Sequence, residues 1–375
     1  MKIGRVRTSL VAVGTLMVCL LGVTVAARQA PPPQLAEDIF TNVQVLRGLP
    51  LDEFMGTMGF FSTATGLNCT DCHVEESGGD WARYADDNEL KQTTRRMLLM
   101  MNAINRTNFG GRQVVTCVTC HRGVSRPAVM PSIDLLYSEP LPDEPGDPFV
   151  QFPGQPAPDE VLDRYIAAIG GMERAASLTS FAATGTYMGF DDAEPAPLEI
   201  LASASGQRSA IVHGLLGDAT TTLDGRAGWI AAPLTDKPVP LLMLTGQELE
   251  GVELEAALFF PAGLKQALSN WRVGLPILLG DREAVPVQGT TAGGGVATLA
   301  FDAETNLLLR LTRYAESPVG RLVSRIDYSD YRDVAGVQMP FRWTVSWLSG
   351  RSTFELTDVQ PNVPVDPARF AMPAQ

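Results

Sequence analysis

Two short runs of this chain share the pattern Cys-x-x-Cys-His, and together they hold four of its five cysteines and two of its three histidines. They span residues 69–73 and 117–121. The pattern is the sequence mark of covalent c-type haem attachment. On a helical turn, residues i and i+3 share a face, so Cys69 and Cys72 can form thioethers to the two vinyl groups of one porphyrin.

The histidine of each run completes the arrangement. His73 lies four residues after Cys69 on the same helical face, so its imidazole can reach the iron. Cys117, Cys120 and His121 repeat this spacing. The sequence therefore predicts two covalently bound haem c groups, with the four cysteines as attachment points and the two histidines as iron ligands.

Three other uses of paired cysteines compete with haem. A disulfide inside each pair, or a zinc ribbon with four cysteine ligands, does not need the histidine. Such ribbons place their pairs about 15–20 residues apart, whereas 44 residues separate Cys72 from Cys117. A thioredoxin-type dithiol would have one motif near a βαβ unit. Haem explains both the spacing and the histidines.

Each iron also needs a sixth partner or keeps an open face. The remaining histidine, His213, lies in a strand-like segment far along the chain, where an ordinary strand residue is the simpler interpretation. Methionine thioether suits iron in an electron-transfer haem, although methionine at helical spacing is also common in cores. The candidates that precede the two motifs are Met55, Met58, Met97, Met100 and Met101.

The start of the chain has the features of an export signal. Residues 1–7 carry three basic side chains, residues 8–27 carry no charge, and small residues precede Arg28. An uncleaved anchor is the alternative, since twenty uncharged residues are about one membrane span. We expect residues 28–375 to lie outside the cytoplasm, in the periplasm. The formal net charge of −13 argues against a nucleic-acid partner.

Three segments follow the leader at 1–27. Residues 35–126 carry both motifs and helical patterning, residues 127–158 form a linker with nine prolines, and residues 159–375 lack cysteine and have strand patterning. The predicted fold is a mainly α multihaem cytochrome c domain joined to a β-rich α+β domain. In the second domain we expect one large curved antiparallel sheet with helices.

Helix signals are clear around the motifs. Asp52 is predicted to cap a helix that ends at Gly66. A second helix is predicted from about 88 to 107, ended by Gly110. Its apolar stripe comprises Leu90, Met97, Leu98, Met101 and Ile104.

The last segment opens with a predicted helix in "PDEVLDRYIAAIGG", and strand-like runs follow it. A helical stretch at about 245–268 interrupts these runs. The predicted strands are 182–189, 198–204, 209–216, 220–223, 228–231, 283–289, 296–301, 307–313, 320–331, 337–347 and 352–359.

Four stretches, "NVQVLRGLPLDEFMGTM", "GLNCTDCH", "TTRRMLLMMNAIN" and "VTCVTCHRG", resemble the photosynthetic reaction-centre cytochrome c subunit family. In that family, a helix carrying the distal methionine precedes each Cys-x-x-Cys-His motif. The resemblance implies Met58 and Met97 as the distal iron ligands. It also raises Arg95, Arg96 and Arg122 as partners of the haem propionates, with a solvated basic face as the alternative.

The resemblance covers residues 35–126 and departs from the family elsewhere. The full family subunit carries four haems, whereas this chain has motifs for two. The remainder is similar to the LolA-like lipoprotein-carrier fold, on the stretches "DEVLDRYIAAIGG", "IDYSDYRDVAGVQMPFRW" and "PVDPARFAMP". Folds of that kind bind acyl chains or serve as scaffolds.

Together these features predict a periplasmic di-haem c-type cytochrome that carries electrons and is not an enzyme. Its expected partners are redox proteins, including a membrane-bound reaction centre or a respiratory complex, with no nucleic acid. One alternative is a di-haem peroxidase-like enzyme with one open iron. Another is a lipid- or lipoprotein-binding module with structural haems.

Overall fold

The computed structural model describes residues 32–137, 149–151, 153–190, 192–234 and 236–373. The predicted leader at 1–27 and the centre of the proline-rich linker lie outside the described residues. Within the described part, no helix has the length and apolar character needed to cross a membrane.

The segment that holds the two motifs is partly helical. Two 3₁₀ turns, at Glu75–Ser77 and Trp81–Ala85, lie between its third and fourth helices. The helices are α1 (Ala36–Ile39), α2 (Leu51–Thr65), α3 (Cys69–Cys72), α4 (Glu89–Phe109) and α5 (Cys117–His121). Both motifs therefore lie on the short helical turns that haem attachment requires, as predicted.

The predicted stops of the two long helices are confirmed, but one predicted start is wrong. Gly66 and Gly110 end α2 and α4 with left-handed backbones, at φ of 68° and 63°. Helix α2 begins at Leu51, so Asp52 lies inside its first turn and does not cap it. The Asp52 carboxylate instead accepts hydrogen bonds from the backbone N–H and the hydroxyl of Thr245, at 2.6 and 2.9 Å.

Helix α4 buries a narrower face than its apolar stripe predicts. Leu98 and Met101 are buried, and the polar Asn105 is buried one turn further on. Leu90 and Met97 belong to the same predicted stripe but are exposed. The packed line on α4 is therefore residues 98, 101 and 105, and Met97 lies at its edge.

Four further helices accompany the β-rich part, after a short α6 (Ile133–Leu136) in the proline-rich segment. The predicted helical stretch at 245–268 is divided by a 3₁₀ turn that begins at Pro261. The four helices are α7 (Pro158–Ala168), α8 (Met172–Ser177), α9 (Gly246–Leu258) and α10 (Leu264–Ala267).

Fourteen strands form one antiparallel sheet, which confirms the predicted large sheet with helices. Its order is β6-β5-β4-β3-β2-β1-β14-β13-β12-β11-β10-β9-β7, and β8 pairs with β9. The first seven strands are Ser180–Met188, Ala196–Ser203, Gln207–Gly214, Gly217–Asp224, Gly228–Ala231, Leu241–Leu244 and Ser269–Val273. Strands β8–β14 are Ile277–Leu279, Arg282–Thr290, Val296–Asp302, Leu308–Ser317, Gly320–Val334, Val337–Trp347 and Gly350–Pro361.

The main core lies between this sheet and its own helices. Phe181 of β1 packs against Phe259 and Phe260 at the end of α9, with ring centroids 5.5 and 5.7 Å apart. Tyr165 of α7 packs against Phe301 of β10 at 5.0 Å. The same cluster includes buried leucines of α7, α9 and α10. Helices of the chain itself therefore fill the space against the sheet.

The motif-bearing helices pack directly on the same structure, near the turn that joins β11 and β12. Buried Phe60 and Leu98 share a cluster with Ala315, Val319 and Leu322 around that turn. In addition, the Thr63 hydroxyl donates to the Leu348 carbonyl, and the Gln113 amide donates to the Ser317 carbonyl at 3.1 Å. The sheet is thus the support on which α2 and α4 are fixed.

Candidate haem-binding sites

The first motif lines a cleft of about 1240 Å³, a volume that includes the space open to solvent. Helix α2 contributes Met58 to the wall, and Cys69, Cys72 and His73 come from α3 and its end. The remaining walls are largely apolar and aromatic. They include Phe40, Val45, Leu46, Phe54, Phe61, Leu67, Trp81, Tyr84 and Leu98.

A capping box inside the motif starts α3. The Asn68 side chain accepts a hydrogen bond from the Asp71 backbone N–H at 3.1 Å, and the Asp71 carboxylate accepts from the Asn68 N–H at 2.8 Å. The His73 N–H then donates to the Cys69 carbonyl at 2.9 Å. This turn fixes the relative positions of the two thiols and the imidazole.

His73 is held as a metal-binding histidine would be. Its Nδ1 lies 3.1 Å from the Tyr84 carbonyl, and the ring centroids of the two residues are 4.8 Å apart. Because the carbonyl can only accept, Nδ1 carries the proton and Nε2 is left as a metal ligand. Burial, together with the charge of Lys91, lowers the pKa of His73 and favours the neutral imidazole that metals bind.

Two cations of α4 also line this cleft. Lys91 Nζ donates to the backbone carbonyls of residues 84, 85 and 86. Arg95 forms an ion pair with Asp87 at 2.8 Å and donates to the Asn42 carbonyl at 3.1 Å. Arg95, a candidate propionate partner, thus lies at the first site with one carboxylate already bound.

The second motif repeats the local design of the first. The Thr116 N–H donates to the Thr119 hydroxyl at 3.0 Å at the start of α5. His121 Nδ1 lies 3.1 Å from the Val124 carbonyl, which again leaves Nε2 as the metal ligand. Cys117 is half-buried against the cluster that contains Leu98, whereas Cys120 is exposed. The same tautomer is therefore selected at both sites by a backbone carbonyl.

Met97 lies on the edge of α4 with 41% of its side chain exposed, next to Met100 at 49%. The cleft that gathers Met58 with the first motif does not include Met97. The assignment of Met97 to the second iron therefore stays a prediction from the resemblance.

Asn105 is a site residue that the sequence reasoning missed. Its amide nitrogen donates to the Val115 carbonyl at 2.7 Å, and its oxygen accepts from the N–H groups of Val114 and Val115 at 3.2 and 2.9 Å. These bonds fix α4 to the segment that enters the second motif. The only signal in the sequence is a polar residue seven positions after Leu98, on the line of buried apolar residues.

The arrangement of the cysteines bears on the zinc and disulfide alternatives. The four motif cysteines form no disulfide with one another and lie on two separate helical turns. Across the ranges that the structure describes, no three His, Cys, Asp or Glu side chains gather into a metal-binding group. A Cys₄ zinc site would need all four thiolates together. Each of the two turns instead has its own histidine, held through Nδ1.

The motif-bearing segment is similar to known cytochrome c subunits. The family model of the photosynthetic reaction centre cytochrome C subunit matches residues 22–134. The cytochrome c subunit of the Roseobacter denitrificans reaction centre is 38% identical over 103 residues, which cover 25% of this chain and 27% of that protein. The Thermochromatium tepidum subunit is 38% identical over 92 residues, covering 24% and 22%. This chain spans about a quarter of the length of those relatives.

The β-rich part has structural neighbours of a different kind. A LolA superfamily protein from Nitrosomonas europaea aligns with 58% of this chain and 99% of its own, at 13% identity and a TM-score of 0.39. A lipoprotein-sorting protein domain from Vibrio parahaemolyticus covers 56% and 94%, at 9% identity and a TM-score of 0.38.

Proposed function

We propose that this protein is a di-haem c-type cytochrome that carries electrons outside the cytoplasm. The observation that carries the proposal is the matched environment of His73 and His121. Each ends a Cys-x-x-Cys turn, and each has Nδ1 bound to a backbone carbonyl at 3.1 Å. An imidazole held in that way presents Nε2 to a metal in a fixed orientation.

In this proposal the chain's residues attach, orient and enclose the haems. Cys69 and Cys72 hold the first haem by thioethers, and Cys117 and Cys120 hold the second. When bound, each haem supplies one-electron chemistry at its iron. His73 and His121 would each bind an iron through Nε2.

The sixth ligands are assigned to Met58 and Met97. Met55 and Met58 both face the same cleft as His73 from a different helix, and the family resemblance selects Met58. Met97 rests on the family resemblance. Ligands held on separate packed helices would have little freedom to move, and Met/His ligation of a bound haem would favour a high reduction potential.

Export and partners follow from the leader and the relatives. The relatives are subunits of photosynthetic reaction centres, so we propose a membrane-bound reaction centre or a respiratory complex as the redox partner, on the periplasmic side. The large sheet serves as a scaffold for the cytochrome helices in this account. Leu254, Leu258 and Leu264 from its own helices fill the core against the sheet, which disfavours an acyl-chain carrier.

Carbon monoxide tests whether both irons are closed. The full chain is produced with its leader in a host that attaches haem c, reduced, and exposed to carbon monoxide. We expect neither haem of the wild type to bind it, whereas Met58→Ala and Met97→Ala each open one haem. Met55→Ala and Met100→Ala are matched controls from the same helices and should stay closed. Ready binding to the wild type would contradict the proposal and favour the peroxidase-like enzyme.

A further inference from the structure

At each candidate haem site, a backbone carbonyl accepts a hydrogen bond from Nδ1 of the histidine. The two sites differ in the other hydrogen-bond donors to that carbonyl. At the first site, the Tyr84 carbonyl accepts from His73 Nδ1 at 3.1 Å and also from Lys91 Nζ at 2.7 Å. At the second site, the Val124 carbonyl accepts from His121 Nδ1 at 3.1 Å. In the described part of the chain, His121 Nδ1 is the side-chain group observed at the Val124 carbonyl.

Lys91 is fixed in this position. Its Nζ donates to the carbonyls of Tyr84, Ala85 and Asp86 at 2.7, 3.0 and 3.0 Å, and the Asp87 carboxylate lies 3.4 Å away. An ammonium has three donors, so these contacts use all of them. Only 14% of the Lys91 side chain is exposed. Its charge therefore stays beside His73 and is not free to bind a haem propionate.

Two cations share one carboxylate at the first site. Arg95 and Lys91 both pair with Asp87, at 2.8 and 3.4 Å. Asp86 pairs instead with the exposed Arg83 at 3.1 Å. One carboxylate thus faces two cations at the cleft, where 31% of the Asp87 side chain is exposed and 14% of that of Lys91 and of Arg95.

Both effects of Lys91 act in the same direction on an iron bound to His73. A strong hydrogen bond from Nδ1 to a carbonyl raises the basicity of the imidazole and so favours ferric iron. Lys91 draws on the same carbonyl and weakens that bond. Its positive charge also disfavours the ferric state, which has one positive charge more than the ferrous state. Each contribution raises the reduction potential of the first haem.

We propose that Lys91 is a positioning residue that raises the reduction potential of the first haem. The inference rests on the proposed function, and it adds the direction in which Lys91 shifts the reduction potential of the first haem.

Redox titration of single variants tests the assignment. Lys91→Met should lower the reduction potential of one haem only. We expect at least a tenfold fall in the equilibrium constant for its reduction, which is about 59 mV for a one-electron couple. Arg83→Gln is the matched control. Arg83 lies in the same 3₁₀ turn as Tyr84 and pairs with Asp86, so its substitution removes one positive charge but leaves the hydrogen bond from Lys91 to the Tyr84 carbonyl in place. It should leave both potentials within a fraction of that shift.

A second measurement on the unaltered protein decides the matter if Lys91→Met fails to fold. In the reduced, diamagnetic protein with ¹⁵N-labelled histidine, the Nδ1 proton of His73 should resonate upfield of that of His121, because its hydrogen bond is weaker. The proposal would be overturned if Lys91→Met shifted the reduction potentials of both haems equally, or shifted neither. It would also be overturned if the Nδ1 proton of His73 resonated downfield of that of His121. A protein without haem would instead refute the proposed function itself.

Discussion

Gly66 and Gly123 approach so closely that a Cβ atom on Gly66 would clash with the Gly123 carbonyl oxygen. Gly66 ends α2 three residues before Cys69, and Gly123 comes two residues after His121. The Gly123 N–H also donates to the Ala64 carbonyl at 2.9 Å. The turn after the second motif is thus bound to the helix that precedes the first, which fixes the two candidate sites relative to each other.

Gly66→Ala should therefore destabilise the protein more than a left-handed backbone alone requires. An alanine at positive φ costs about 1–2 kcal/mol, and the contact with Gly123 adds to that cost because backbone atoms would have to move. Gly110→Ala is the matched control, since Gly110 has φ +63° and no atom within 4 Å of the added Cβ. Denaturant unfolding of both variants measures the difference. Equal losses would mean that the close contact does not exist.

Asn105→Ala should loosen the second site selectively. The change removes the partner of the Val115 N–H and carbonyl, and an unsatisfied buried polar group costs about 1–3 kcal/mol. We expect lower stability by that amount and carbon monoxide binding at the second haem only. Asn108→Ala, on the same helix, loses one exposed bond to Ile104 and should change neither property. If the second haem of Asn105→Ala does not bind carbon monoxide, Asn105 does not hold the second site in place.

Asp52 gives the stability a dependence on pH. Burial raises the pKa of Asp52 above its ordinary value of 3.8, although hydrogen bonds from Thr245 oppose this. Between the ordinary and the raised value the folded state binds more protons than the unfolded state, so stability falls as pH rises through that window. Relative to Asp52→Asn, which does not titrate, the wild type should lose free energy of unfolding as pH rises there. An unchanging difference would contradict a raised pKa.

Glu255 is expected to matter more than an ordinary surface carboxylate. It lies 4.0 Å from Arg208 and 3.5 Å from Arg313, and all three side chains are largely buried. Glu255→Gln would leave the buried Arg208 without this carboxylate, whereas Arg313 keeps Glu248 at 2.9 Å. Removing one partner of a buried ion pair costs about 3–5 kcal/mol, because the other charge is left uncompensated. Glu255→Gln should lower the free energy of unfolding by roughly that amount. The exposed Glu160 pairs with Arg164, and Glu160→Gln should cost less than about 1 kcal/mol.

If Glu255→Gln and Glu160→Gln lower the free energy of unfolding equally, solvent screens the charges of Glu255, Arg208 and Arg313. Urea unfolding followed by circular dichroism gives both values under one condition.

Sequence patterns predicted the elements whose signal is local. Left-handed glycines ended α2 and α4 at the predicted positions, and the strand at Val337–Trp347 matches its predicted bounds. The strands at Leu241–Leu244, Ser269–Val273 and Ile277–Leu279 were missed. They are three to five residues long, and runs of that length do not show a period of two clearly.

The features of the site that the sequence did not predict depend on contacts between residues far apart in the chain. Asp52 was predicted to cap its own helix, yet its carboxylate binds Thr245, 193 positions away. Met97 belongs to the apolar stripe of α4 by spacing, but the sheet turn at residues 315–322 packs on the neighbouring side of the helix and leaves Met97 exposed. The histidine environments could not be predicted either, because Tyr84 reaches His73 through a 3₁₀ turn that no pattern marks.

The intact mass of the exported protein, purified from a host that attaches haem c, tests the central claim most directly. We predict a mass that exceeds that of the polypeptide by two haem groups, with none of Cys69, Cys72, Cys117 and Cys120 reacting with a thiol alkylating reagent. A colourless protein with the mass of the bare polypeptide, and with those four thiols free or holding zinc, would contradict the account.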